Sequence, residues 1–296
     1  MGFASFARKA LFVTILSLFV GTSATLADTL YVASGSNGVA GTLYTMDPAT
    51  GLIISSIGPL QDLGGNAYGM TGMSFDPTTG ILYGATAGAS PTAPRSLVSI
   101  NPANALVTPI GAFNGTGAGA ADISFQANGS LWGFQANQTH ALMSIVKATG
   151  AATLIGGLGS GVFGGGGIAV RQTDDVMFIT PDGFTGNPPT LRTIDSLGVI
   201  QSSVNFSGAL TFFGSVNAMD FDSTNTLYGL ISDQAFGSTN SHLIILNQST
   251  GALSDVGLTN AANLDAMAFA RDIPEPATIA LLGFGLLGLF ARRRSE

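Results

Sequence analysis

The chain has 296 residues, and only 9% of them are charged, against roughly 25% in an average globular protein. Hydrophobic residues at 46% can supply a core, while 41 Gly and 12 Pro imply many turns without reaching the level of low-complexity disorder. There is no cysteine, which excludes disulfides and Cys-ligated metal, and the 14 Asp against 5 Lys plus Arg between Asp28 and Arg271 argue against nucleic acid as a partner.

The N-terminus reads as a secretory signal peptide over residues 1–27. Arg8 and Lys9 form a short basic region, residues 10–20 are apolar, and Thr25 and Ala27 are small residues at the positions a signal peptidase inspects. Cleavage is expected after Ala27. The apolar run is too short to span ~30 Å of hydrocarbon comfortably.

Residues 28–271 repeat. One marker is an apolar residue followed by an aromatic, at Tyr31, Tyr83, Trp132, Phe178 and Tyr228, spaced 52, 49, 46 and 50 apart. A second runs GMSFD, DISFQ, GIAVR, AMDFD and AMAFA, with anchors Phe75, Phe125, Val170, Phe221 and Phe269. A third begins at Leu43, Leu97, Leu142, Leu191 and Leu243. Four short strands per repeat, separated by Gly, Asp-Pro and Asn-Gly punctuation, predict an all-β, five-bladed β-propeller. The second marker is the innermost strand of each blade. Its last copy, at 264–270, has no partners after it, so it is expected to join residues 29–57 and close the ring.

Strand alternation puts Met73, Ile123, Ile168, Met219 and Met267 on the anchor's side and small residues such as Gly72, Ser124 and Gly167 on the other. Bulky faces against small faces let tapering blades interlock. Tight turns such as DPTTG and NQSTG alternate with longer connections, among them 34–41, 58–69, 87–95 and 257–263. The long connections are therefore expected to share one face, which is the candidate binding surface. It carries Tyr68, Phe113, Phe163, Phe184 and Phe236, and His140 and His242 read as exposed loop residues. GGGG at 164–167 lacks the Lys-Ser/Thr of a phosphate loop and reads as a plain connection.

Asp122, Asn217, Asp220 and Asp265 interrupt the apolar inner strands near the axis. Propellers resembling the gluconolactonase type hold a central calcium with such oxygens, and that resemblance implies an axial ligand site at Asp122, Asn217 and Asp265. Thr71 and Gly166 stand at matching positions in two other blades, and the body contains no Glu. Structural capping or a water-filled axis is therefore the expected role, with no cofactor other than that calcium to consider. No catalytic constellation is visible.

The C-terminus, residues 272–296, has Pro274, Glu275 and Pro276, an apolar run from Ala277 to Phe290, and Arg292, Arg293 and Arg294. Prolines forbid regular structure before the run, and the arginines favour the cytoplasmic side of a short membrane helix. These three elements in this order resemble the PEP-CTERM sorting signal of Gram-negative bacteria. The resemblance implies processing by an exosortase, transient anchoring by the tail, and a final place at the cell surface or in the extracellular matrix. It further implies exopolysaccharide or other envelope proteins as partners. The expectation is a non-catalytic binding or structural propeller linked to exopolysaccharide and biofilm, with a metal-dependent lactonase- or lyase-like enzyme as the alternative.

Overall fold

In a computed structural model the described residues are 28–35, 38–114, 119–135, 141–158, 166–181, 189–208, 215–232 and 240–271. Ala27, Pro274, Glu275, Pro276, Arg292, Arg293 and Arg294 lie outside them, as do His140, Phe163, Phe184 and Phe236. Among the described residues no helix is long and apolar enough to cross a membrane.

The strands form five antiparallel four-stranded sheets. Their innermost members are β4 (Met70–Phe75), β8 (Asp122–Phe125), β12 (Ile168–Arg171), β16 (Val216–Phe221) and β20 (Leu264–Ala270), the five copies of the second sequence marker. Each inner strand packs against the next around the ring. The ring closes as the order of the markers requires: β20 pairs with β1 (Thr29–Ser34), which continues to β2 (Thr42–Met46) and β3 (Ile53–Pro59). In register, Leu30 faces Phe269 and Ala33 faces Ala266. Closure leaves no blade edge exposed between the first and last repeats.

The two strongest sequence markers turn out to be the halves of one contact. The aromatic on the second strand of a blade meets the anchor on the first strand of the following blade. Ring centroids are 5.6 Å apart for Tyr31–Phe75, 5.4 Å for Tyr83–Phe125, 5.5 Å for Phe178–Phe221 and 5.1 Å for Tyr228–Phe269, all tilted or edge-on. At the remaining interface Trp132 shares a buried cluster with Val170, and its indole N–H donates to Gln126 at 2.9 Å. The alternation on the inner strands also holds. Met73, Ile123, Ile168, Met219 and Met267 are buried, whereas a methyl group on Gly72 would lie 2.6 Å from the Asp122 Cα. Only a residue without a side chain allows that approach.

The tight turns lie at one end of the barrel of inner strands and the long connections at the other. In the turns an Asp or Asn caps the following amides: Asp47 accepts from Ala49, Asp76 from Thr78, and Asn247 from Ser249. Gly51, Gly80, Gly150 and Gly251 close them with φ between +69° and +75°, a region that costs glycine little. One expected long connection is mostly strand. Residues 257–262 extend the outer strand β19 (Leu253–Ala262), whose end pairs with β18 (Asn240–Leu246), and the chain reverses at Asn263 with φ +54°. Asparagine tolerates this left-handed conformation better than most residues, so a single residue suffices where the sequence suggests a loop.

Candidate functional site

An innermost strand has one edge without a strand partner, so its N–H groups toward the axis need other acceptors. Three side chains on the small faces supply them. Asp122 is fully buried; its Oδ1 accepts from the Ile123 N–H at 2.9 Å, and its Oδ2 accepts from the N–H groups of Ile168 and Met219, both at 3.0 Å. With the blades numbered from the one built on β4 to the closing blade built on β20, one carboxylate thus ties the inner strands β8, β12 and β16 of blades two, three and four. Ser124 Oγ accepts from Val170 N–H at 2.9 Å. Asp220 accepts from Phe221 and Phe269, both at 2.8 Å, and carries blade four to blade five. Burial pushes the Asp122 carboxyl well above the usual carboxylate range, against the pull of its three N–H donors and with a smaller push from the Asp220 charge. Burial raises Asp220 as well, partly offset by the Arg271 guanidinium.

The other two residues of the expected axial trio occupy a different kind of position. Asn217 and Asp265 are the extra residues of bulges in β16 and β20: Val216 and Ala218 pair with consecutive residues, as do Leu264 and Ala266. Thr71 is bulged in the same way in β4. A bulge re-aims its side chain. Thr71 Oγ1 donates to the Ala120 carbonyl at 2.8 Å, reaching the next blade, and Asn217 Oδ1 accepts from Ser215 at 2.7 Å. Asp122 lies one register step later in its own strand, inside the core, with both oxygens committed to backbone. Among the described residues no three His, Cys, Asp or Glu side chains are grouped to hold a metal ion.

At the hairpin end the axis opens into a cavity of about 280 Å³. Its walls include Phe75, Asp76, Gln172, Asp220 and Arg271, drawn from the C-terminal ends of the inner strands and the turns just beyond. Arg271 is fixed there. Its Nε donates to the Phe221 carbonyl at 3.0 Å, and its Nη2 donates to the same carbonyl and to Asp220. Asp76, fully buried, receives Lys147 Nζ at 2.6 Å from the neighbouring blade. Burial lifts the Asp76 carboxyl, but the Lys147 and Thr78 hydrogen bonds outweigh it and hold the group below its usual range. The arrangement sets the Arg271 guanidinium and the Gln172 amide beside the edge of Phe75, a set suited to binding polyhydroxylated molecules.

This cavity is on the face opposite the one that loop length favours. The signal for it is faint in sequence: the residues just past each anchor turn polar, as in Asp76, Gln172 and Arg271. The described aromatics of the long-connection face are core residues. Tyr68 is fully buried and donates to Asp62 at 3.0 Å, and burial followed by that carboxylate pushes its hydroxyl up to about 12. Phe113 is buried too. His242 is not an exposed loop residue; it is buried in β18, with Nδ1 3.3 Å from Asp255 across the β18–β19 pair.

Residues 272–294 match the PEP-CTERM protein-sorting motif. That motif marks a chain for export and for recognition by an exosortase at the membrane. No curated protein matches the chain. Among solved structures it is similar to an exo-beta-1,3-galactanase from Phanerochaete chrysosporium, at 14% identity and a TM-score of 0.56, covering 78% of this chain and 60% of that one. It is also similar to a protein of unknown function from Bacteroides caccae, at 11% identity and a TM-score of 0.50, covering 83% of this chain and all of that one. A gluconolactonase from Xanthomonas campestris matches at 11% identity and a TM-score of 0.44, over 80% of each chain. These likenesses concern the fold.

Proposed function

We propose that this protein is an exported, exosortase-processed surface component whose propeller binds matrix polysaccharide without catalysis, seating it in the cavity at the hairpin end of the axis. The sorting motif is the observation that supports this reading, because exosortase-dependent export would carry the chain out to where such polymers lie. The cavity fits it. Phe75 supplies an apolar edge, while Gln172 and Arg271 supply donors for sugar hydroxyls. The signal peptide ending at Ala27 and the tail anchored between Ala277 and Phe290 deliver the body to that side of the membrane.

The test is retention of the purified full-length protein on exopolysaccharide from the producing cells. The wild-type chain is expected to be retained, and Gln172→Ala, which leaves the Arg271 clasp intact, is expected to reduce retention about tenfold, the equivalent of losing one good hydrogen bond in a desolvated site. No retention of the wild type sinks the polysaccharide reading, and full retention of the variant removes the cavity from it.

A further inference from the structure

Both ends of the described chain emerge at one place. Thr29, at the start of β1, pairs with Ala270 at the end of β20. Asp28 accepts from the Ser223 N–H in the turn after β16, and Arg271 is clasped to Phe221 and Asp220 at the mouth of the axis. The junction with the leader and the junction with the sorting tail therefore leave side by side, near the centre of the hairpin face.

From Arg271 to Ala277, where the apolar run begins, there are six residue steps. Whatever conformation they take, they reach at most about 20 Å. To present the opposite face to the membrane, this tether would have to cross from the axis to the rim and then descend the side of the disc. Four strands about 4.8 Å apart make the first leg about 15 Å, and inner strands of four to seven residues make the second about 13–23 Å. The tether is too short for both.

We propose that, while the tail is in the membrane, the propeller is held with its hairpin face toward the bilayer and its long-connection face turned away; this rests on the reading of the tail as membrane-inserted. The orientation follows from the exit point and not from adhesion. Asp47, Asp174, Asp175, Asp195 and Asp222 lie in the hairpin turns, and an acidic surface is repelled by anionic lipid over a Debye length. The axial cavity consequently faces the bilayer while the tail is inserted.

The absence of native cysteine allows a direct measurement. Single substitutions Ala49→Cys and Ala127→Cys on exposed hairpins, and Leu63→Cys and Ala89→Cys on exposed long connections, would each carry a donor dye in the full-length chain. The chain is reconstituted into phosphatidylethanolamine–phosphatidylglycerol vesicles whose headgroups carry an acceptor. Energy transfer is expected to be stronger from the two hairpin positions than from the two long-connection positions. Equal transfer from all four, or the reverse order, overturns the orientation while leaving insertion intact. A full-length chain that fails to float with the vesicles overturns both the orientation and the membrane reading of the tail.

Discussion

The two arcs of the ring hold together by different means. From blade two to blade five, carboxylates and a hydroxyl on the small faces of the inner strands accept backbone N–H groups from the next blades, through Asp122, Ser124 and Asp220. From blade five through blade one to blade two the inner strands meet by close approach. Gly72 admits the Asp122 backbone, and the Tyr31–Phe75 and Tyr83–Phe125 pairs seal the interfaces outside it. The first arc trades burial of polar groups for directed bonds along the inner strands, and the second relies more on shape, with the Thr71–Ala120 and Lys147–Asp76 bonds as polar links between blades one and two. The interface lacking an aromatic anchor, where Val170 replaces Phe, receives hydrogen bonds from both Asp122 and Ser124.

The largest effect should come from cutting the stitched arc. Asp122→Ala leaves three buried N–H donors without their acceptor and is expected to destabilise the protein by about 3–5 kcal/mol. Urea unfolding would measure it, and a loss below about 1 kcal/mol would show that the carboxylate is incidental to the ring. On the packed arc, Gly72→Ala should cost about 1–3 kcal/mol, the usual range for overpacking, since the Asp122 backbone stands where the methyl would go. A neutral outcome in the same assay would mean the two strands can part freely there.

A smaller effect separates the arcs by pH. Asp122 and Asp220 keep their protons to higher pH in the folded protein than in the unfolded chain. Above about pH 4, the ordinary Asp value, the unfolded chain therefore binds fewer protons, and stability from these groups falls as pH rises. Asp62, Asp76 and Asp174 are held below the usual range and act in the opposite sense, losing stability as pH falls below about 4. Stability should therefore peak in mildly acid solution. Asp122→Asn should flatten the decline on the alkaline side, although an amide cannot replace all three acceptor bonds. An unchanged slope in urea midpoints taken from pH 4.5 to pH 8 would remove Asp122 from this account.

The period of about 50 residues, the five blades and the closure of β20 onto β1 were legible in sequence because each strand carries a local signature and the order of signatures fixes which strand lacks a neighbour. The address was legible for a similar reason: Pro-Glu-Pro, the apolar run and the arginines act as a linear signal. The roles of the polar residues near the axis were not legible. Asp122 and Asn217 differ by one register step, and only the bulge at Asn217 and the meeting of blades two, three and four decide where each side chain goes. Tyr68 and His242 were misplaced for the same cause, since burial depends on what folds over a residue and not on the loop that precedes it. The sequence by itself determined the repeat, the ring and the sorting signal, all of which are written in local pattern. The tertiary structure alone decided which carboxylates bear the ring, that the cavity opens at the hairpin end, and that both ends of the described chain lie at that face, because each depends on contacts between residues 46 to 241 positions apart.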